Sequence, residues 1–237
     1  MAQLYAGTSG WAYPSWKPEF YPAKLPQAKF LAYYAGKLNA VEVNFTFRQL
    51  LKESTAQKWI AETPSGFVLS VKAHQVITHI KRLKKTEDFL PRFLATVQPL
   101  AQAGKLGPLL FQLPPNMKAD VTLLEEFLAL LPRGVPSAFE FRHESWFSDN
   151  IFDLLKKCNR ALCVAETEDR VTPDAVTADF CYYRYRKPTY SSEERQAMVS
   201  RLHEHIANGR NVFAYFKHEE TPQGAIYAVD VLKEVQG

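Results

Sequence analysis

Eight short apolar segments recur along the chain, and most of them are separated by segments with the spacing of amphipathic helices. The apolar segments are rich in Val, Leu, Phe and Tyr and are bounded by Gly, Pro, Asn or Ser, which is typical of buried strands. The eight predicted strands are Gln3–Ser9, Ala40–Phe45, Phe67–Ala73, Pro108–Leu113, Ser137–Arg142, Ala161–Glu166, Phe180–Arg186 and Asn211–Lys217.

The segments between and after these strands predict helices, because their apolar residues recur at helical spacing. Asp120 and Ser148 are candidate N-caps, and Ser191 with Glu194 fits the capping box. The connection Thr172–Thr177 is too short to predict a helix. The predicted helices are Gln27–Leu38, Ser54–Ala61, Asp88–Ala103, Thr122–Leu131, Asn150–Cys158, Glu193–Ala207 and Gly224–Val235.

This alternation of strands and helices predicts right-handed βαβ units and a parallel sheet. Eight such units in 237 residues match a (β/α)8 TIM-like barrel, which we predict as a single domain over residues 1–237. A doubly wound open sheet is the alternative. Its glycine-rich first turn is missing, because the first strand continues into Gly7-Thr8-Ser9-Gly10-Trp11 rather than a Gly-x-Gly-x-x-Gly motif.

Composition narrows the class of protein only slightly. The chain is 46% hydrophobic and 23% charged, with a formal charge of +4, which permits an anionic ligand without requiring nucleic acid. The basic run Lys81–Lys85 is interpreted as a solvated loop or helix start. Three cysteines have neither metal-ligand nor disulfide spacing. Without a signal peptide or an apolar segment of membrane-spanning length, a reduced cytoplasmic protein without membrane partners is expected.

Ionisable and polar side chains occupy alternate positions in two of the predicted strands. Glu42 and Asn44 share one face of the second strand, and Glu140 and Arg142 share one face of the fifth. Burying such groups without partners costs several kcal/mol, so they either satisfy one another or line a pocket. In a barrel, the same alternation directs further polar residues inward from the other strands: Ser70, Lys72, His74, Gln112, Glu166, Arg184, Arg186 and Lys217.

Functional groups of such barrels gather at the C-terminal ends of the strands, so these residues form a candidate site. Glu42, Glu140 and Lys72 are the predicted catalytic residues, because neighbouring ionisable groups push one another's pKa values apart, which suits proton transfer. Arginines offer a bidentate fork to an anion. The predicted substrate-binding residues are Trp11, Asn44, Gln112, Arg142, His143, Trp146, Arg184 and Lys217, with the two tryptophans as walls of the cleft.

Several of these segments resemble the YecE-like family, a group of TIM-barrel proteins catalogued as a domain of unknown function. The matching stretches run in family order along the chain: Gly7–Trp11, Phe20–Pro22, Val41–Phe47, Val71–Lys72, Thr78–His79, Gly107–Pro115 and Phe139–Trp146. The resemblance implies the barrel fold, and it does not supply a chemistry. The chain departs from the family pattern at Arg48, at Leu51, at Arg184–Lys187 and at Phe216–Glu219, and these departures make the second half of the pocket more cationic.

Competing interpretations stay open at this point. We expect an enzyme acting on a small phosphorylated or carboxylated molecule; the alternatives are a nucleic-acid-processing barrel that resembles AP endonucleases, and a non-catalytic ligand-binding protein. The polar cluster is also consistent with a buried ion-pair network that only stabilises the barrel. His74, His143 and His218 lie near strand ends without metal-site spacing, so neither a metal nor a cofactor is predicted, and His203 and His205 are expected on a helix surface.

Overall fold

A single parallel sheet of eight strands forms the centre of the protein. The computed structural model describes residues 1–166, 172–217 and 220–236. The strands lie in the order β1-β8-β7-β6-β5-β4-β3-β2. Strands that are consecutive in the chain are therefore paired from β2 to β8, and β1 pairs with β8. Their bounds are β1 Leu4–Thr8, β2 Ala40–Val43, β3 Val68–Lys72, β4 Leu106–Gln112, β5 Ser137–Glu140, β6 Ala161–Glu166, β7 Phe180–Tyr185 and β8 Asn211–Phe216.

The sheet closes between β1 and β2. A parallel bridge joins Ser9 to Glu42, and the N–H of Gly10 donates to the carbonyl of Glu42 at 2.9 Å. The close approach depends on Gly7, because a Cβ at this position would lie 1.9 Å from the carbonyl oxygen of Ala40. The predicted TIM-like barrel is therefore confirmed, with a short seam at its first two strands.

Helices between the strands complete the predicted architecture. Their bounds are α1 Phe30–Ala35, α2 Glu53–Glu62, α3 Leu90–Gln102, α4 Val121–Leu130, α5 Asp149–Lys157, α6 Ser192–Ala207 and α7 Gln223–Gln236. Asp120 caps α4 through the N–H of Leu123, and Ser191 with Glu194 forms the capping box of α6. Ser148 occupies the N-cap position of α5 without a side-chain hydrogen bond to the helix.

Two apolar layers follow from the alternation of side chains along the strands. Inside the barrel, small and aromatic residues such as Ala138, Cys163 and Tyr215 pack together, and Ser70 bonds Tyr215 at 2.7 Å. Outside it, the intervening strand residues pack against the helices in a much larger cluster. The inner layer is thin. It does not extend to the C-terminal ends of the strands, where the inward-facing side chains are polar.

The two strands that carry Glu42 and Glu140 each end two residues earlier than predicted. β2 ends at Val43, because the hydroxyl of Thr46 donates to the carbonyls of Val43 and Lys72 and turns the chain into a 3-10 helix at Phe45–Phe47. β5 ends at Glu140, ahead of a 3-10 turn at Glu144–Trp146. Asn44 is therefore the first residue after β2, and Arg142 is the second residue after β5.

A short π-helix and a turn follow β3 where no regular structure was predicted. The π-helix covers Val76–Ile80, and the basic run Lys81–Lys85 continues as a turn, as expected for a loop. Lys81 pairs with Asp88 at 2.6 Å, and Arg82 donates to Asn116.

One residue expected on a helix surface is buried. His205 is only 8% exposed and makes a 2.6 Å hydrogen bond with the hydroxyl of Tyr183. The reason is helical spacing, because His205 continues the buried face of Met198 and Leu202 on α6. His203 is exposed, as predicted.

Candidate functional site

Glu42, at the end of β2, is fully buried and surrounded by hydrogen-bond donors. Its Oε1 accepts from the Ser9 hydroxyl at 2.8 Å, from Asn44 Nδ2 at 3.1 Å and from Arg184 Nη2 at 2.6 Å. Its Oε2 accepts from the hydroxyl of Tyr182 at 2.7 Å. Charge-assisted hydrogen bonds of this kind offset the free energy that burial of a carboxylate costs.

Glu140, at the end of β5, is the second fully buried carboxylate. Nε2 of Gln112 lies 2.9 Å from both of its oxygens. Three guanidinium groups also contact it: Arg142 at 3.2 Å, Arg184 at 2.5 Å and Arg186 at 3.2 Å. Burial alone would raise the pKa of Glu140, but Arg184 and Arg142 outweigh burial and hold this pKa below its ordinary value.

Arg184 of β7 joins the two carboxylates. Its Nη2 contacts Glu42 and its Nη1 contacts Glu140, and its side chain is only 3% exposed. Burial disfavours the charged guanidinium, but the two carboxylates overcome that effect and hold the pKa of Arg184 above its ordinary value. Since both ends of the fork are bonded to buried carboxylates, this arginine connects opposite parts of the barrel and has little surface to offer a ligand.

Lys72, at the end of β3, has a different environment from the three arginines. Within the described ranges it forms no ion pair; its Nζ donates to Gln112 Oε1 at 2.8 Å and lies 4.5 Å from the centre of the Phe47 ring. Burial, supported by the positive charge of Arg184, lowers the pKa of Lys72 to about 8. A lysine in this state exchanges protons near neutral pH, which is the property required of a general acid or base.

The acid/base pair expected of Glu42 and Glu140 stays a prediction, and the pKa values that shift in this cluster include those of Glu140 and Lys72. Arg184 lies between these carboxylates and contacts both. Glu140 stays ionised near neutral pH and is unsuited to act as a general acid. Lys72 is the member of the cluster whose pKa moves toward neutrality.

The structure brings together most of the residues predicted for the site, and their roles stay predictions. The shared feature is contact with one of the two carboxylates, directly or through Gln112. The predicted residues in this cluster are Glu42, Asn44, Lys72, Gln112, Glu140, Arg142 and Arg184.

Sequence reasoning did not include Ser9 and Tyr182 in the site, although both bond Glu42. It noted Arg186 only as an inward-facing residue and a departure from the family pattern. Strand alternation was sufficient to find Tyr182, which lies two residues before Arg184 on the same face of β7.

Trp146 is a correction to the predicted cleft walls. It is fully buried, its indole N–H donates to the carbonyl of Met117 at 2.7 Å, and its ring stacks on Phe141 on the helix side of the sheet. Trp11 is half-buried and packs edge-on against Trp59 at 5.2 Å. Trp146 therefore belongs to the outer core and does not wall a cleft.

Two other predicted binding residues lie apart from the contacts described above. His143 uses Nδ1 to accept from the N–H of Ser145 and so caps the turn that follows β5. Lys217 is exposed just after β8, where its N–H donates to the carbonyl of Tyr185. Both remain predictions as ligand contacts.

Glu166 and His74 were predicted to face the barrel interior, and this prediction is wrong for both. Glu166 is in register with Tyr185, whose side chain packs in the outer layer, and pairs with Lys187 at 2.9 Å. His74 caps the turn after β3 through the N–H of Val76. Among the described residues, no three His, Cys, Asp or Glu side chains are grouped to hold a metal ion, and His218 lies outside those residues.

Within this cluster of described residues, positive charge exceeds negative charge. Two carboxylates are contacted by three arginines, and Lys72 stands next to them. The side chain of Arg142 is 28% exposed and that of Arg186 is 13% exposed. The cluster thus has a closed floor, formed by Glu42, Glu140 and Arg184, and a cationic rim that solvent can reach.

The fold and the site together define a (β/α)8 barrel with a charged cluster at the C-terminal ends of its strands. The chain belongs to the family described as "Protein of unknown function DUF72", whose model matches residues 5–237. This match confirms the resemblance inferred from the sequence motifs.

Known relatives agree with this assignment. The chain is 29% identical over 156 residues to UPF0759 protein YunF of Bacillus subtilis, covering 63% of this chain and 54% of the relative. It is 29% identical over 146 residues to UPF0759 protein YecE of Escherichia coli K12, covering 61% and 50%. The chain thus spans about half the length of these curated relatives.

A crystal structure supports the fold along almost the whole chain. A DUF72 family protein from Thermotoga maritima superposes with a TM-score of 0.87 at 25% identity, covering 99% of this chain and 100% of that one. Among the helices that the structure describes, none combines the length and the apolar character needed to cross a bilayer.

Proposed function

We propose that the protein is an enzyme that binds a small anionic molecule at the cationic rim and uses Lys72 for proton transfer. The observation that carries the proposal is the excess of positive charge around Glu140. Among the described residues, three guanidinium groups contact the two buried carboxylates, which leaves one positive charge in excess, and two of the three, Arg142 and Arg186, remain partly exposed. Exposed guanidinium groups in this arrangement bind phosphate or carboxylate oxygens in a bidentate manner.

The burial of the cluster supports a functional role for the rim more than a purely structural one. Desolvating several charges seldom improves stability over an apolar core. Arg184 contacts both carboxylates but leaves the floor with one net negative charge, so only one of the two further arginines, Arg142 and Arg186, is needed to balance it. Lys72 adds a group with a pKa of about 8 beside them, and perturbed groups of this kind cluster at functional sites.

Binding of anions to the rim is testable by thermal unfolding at constant ionic strength. We expect pyrophosphate and fructose 1,6-bisphosphate to raise the melting temperature, and fructose to leave it unchanged. Arg142→Gln and Arg186→Gln should each reduce the shift. Arg133→Gln is the matched control, because Arg133 is exposed in the loop before β5, at the opposite end of the barrel. An equal shift in all four proteins, or none in the wild type, would contradict the proposal.

Turnover separates an enzyme from a ligand-binding protein that uses the same rim. A compound that binds in the first experiment is incubated with the wild-type protein and with Lys72→Met, and the solution is examined by mass spectrometry. We expect conversion only with the wild type. If the compound is recovered unchanged from both, the rim is a binding site without chemistry.

A further inference from the structure

Lys72 is held in a defined orientation by its neighbour Gln112. The Nε2 of Gln112 must donate to Glu140, because an ionised carboxylate only accepts hydrogen bonds. The Oε1 of Gln112 is therefore turned toward Lys72, which donates to it at 2.8 Å. An amide oxygen carries no hydrogen, so it cannot donate a hydrogen bond to the lone pair of an amine. When Lys72 is neutral, its lone pair consequently points away from Gln112, and the residue as a whole is only half-buried.

The surroundings of Lys72 differ from those of two other lysines with well-defined contacts. The ammonium of Lys187 pairs with both Glu166 and Glu194 at 2.9 Å, and these carboxylates raise its pKa. Lys105 is 7% exposed and donates to the carbonyls of Thr63 and Pro64. Within the described residues, Lys72 forms no direct ion pair, so Glu42 and Glu140 favour its charged form only from a distance, and Gln112 is its hydrogen-bond acceptor.

An anion-binding group lies next to this amine. Gln112 connects Lys72 to Glu140, and Glu140 contacts the partly exposed guanidinium groups of Arg142 and Arg186. A ligand whose phosphate or carboxylate binds these arginines is thereby placed beside the nitrogen. Such positioning replaces a bimolecular encounter by an intramolecular one, which accelerates the reaction of the two groups.

We propose that Nζ of Lys72 is a covalent nucleophile that forms an imine with the aldehyde or ketone group of an anionic carbonyl compound. In this step the neutral amine adds to the carbonyl carbon to give a carbinolamine. The hydroxyl group then leaves as water with one proton taken from solvent, and a protonated imine remains. No oxidant or reductant is needed. The proposal rests on the proposed function, since the arginine rim recognises the anionic part of the compound.

The lowered pKa of Lys72 supports this assignment. With a pKa of about 8, a substantial fraction of Lys72 is neutral at pH 7.5, whereas an ordinary lysine is almost entirely charged. The neutral fraction is roughly a hundredfold larger than that of an exposed lysine, and only the neutral amine attacks a carbonyl.

Reductive trapping with an aldehyde that carries a phosphate tests the proposal. The protein is treated briefly with pyridoxal 5′-phosphate, used only as a chemical probe, and then with sodium borohydride, and the modified lysines are located by peptide mass spectrometry. We expect Lys72 to be labelled at least tenfold faster than Lys187. Its labelling should increase with a midpoint near pH 8, the pKa of Lys72. Lys72→Arg, which keeps the charge, should lose this adduct and leave the others unchanged.

Two further measurements distinguish a failure of the imine proposal from a failure of the proposed function on which it rests. Pyridoxal, which lacks the phosphate, should label Lys72 more slowly than its phosphate ester, and pyrophosphate should compete with the ester. If Lys72 is labelled no faster than Lys187 while pyrophosphate still stabilises the wild type, the imine proposal is wrong and the anion site stands. If Lys72 is labelled equally fast by both aldehydes and pyrophosphate has no effect, the anion site is wrong and the nucleophilic lysine stands.

Discussion

Removal of Arg184 should destabilise the protein more than any other single change in the cluster. In Arg184→Met, the carboxylates of Glu42 and Glu140 remain fully buried but lose the cation that contacts both at 2.6 and 2.5 Å. Breaking a buried ion pair by removing one partner costs about 3–5 kcal/mol. The free energy of unfolding of a domain is about 5–15 kcal/mol, so the variant should fold with a clearly lower stability.

The pH dependence of this loss gives the prediction a second, independent readout. In the wild type, the pKa of Glu140 lies below its unfolded value, so its contribution to stability is present above that value and is lost as pH falls through the folded pKa. Without Arg184, Glu140 keeps its contacts with Arg142 and Arg186, but the burial of both carboxylates is compensated less, so folding takes up more protons than in the wild type. The difference in unfolding free energy between the two proteins should therefore be largest above about pH 6 and become smaller toward about pH 5.

Urea denaturation followed by tryptophan fluorescence at pH 5, 6, 7 and 8 measures both effects. Arg184→Lys, which keeps a cation but cannot bridge two carboxylates, should lie between the wild type and Arg184→Met. Arg133→Met is the control and should change stability by less than about 0.5 kcal/mol, since Arg133 is exposed. A loss below about 1 kcal/mol for Arg184→Met, or a loss independent of pH, would refute the view that Arg184 compensates the burial of both carboxylates.

Two further predictions concern residues that support the site. Tyr182→Phe removes the donor to Oε2 of Glu42 and should lower the free energy of unfolding by about 1.5–3 kcal/mol in urea titrations; an unchanged transition midpoint would show that the contact is dispensable. Gly7→Ala should lower it by about 3 kcal/mol or more, because the new Cβ meets the carbonyl of Ala40 at 1.9 Å. Gly134→Ala, where a Cβ meets no atom within 4 Å, is its control, and equal effects of both changes would contradict the closure of the barrel at Gly7.

The alternation of side chains along a strand predicted the centre of the site, because this alternation is a local property that can be read from one strand at a time. Glu42, Glu140 and Arg184 were placed on the inner face from period-two spacing alone, and the structure joins them. The same spacing misplaced Glu166, which closes β6 on the outer face beside Tyr185. The error has a physical origin: Cys163 and Ala165 are apolar residues that face inward, so polarity and inward orientation do not coincide in this strand.

Residues in loops were predicted less well, because side-chain periodicity does not continue beyond a strand. Trp146 follows β5 closely in sequence, but the turn at Glu144–Trp146 returns its ring to the outer core, where it stacks on Phe141. The early end of β2 depends on hydrogen bonds of Thr46 to two carbonyls, one of them on β3. Such contacts join distant parts of the chain and have no local pattern in the sequence.

The division of the cluster into a floor and a rim reconciles its structural and functional interpretations. Glu42, Glu140 and Arg184 are almost completely buried and satisfy one another, so they form the ion-pair network that a purely structural account requires. That account does not explain Arg186 or Lys72, because neither is needed to balance the floor. Lys72 in particular is partly buried beside Arg184, and burial, supported by this like charge, lowers its pKa and opposes its protonation. A group held in an unfavourable charge state by a rigid network is expected where chemistry is performed, and the trapping experiment addresses that group directly.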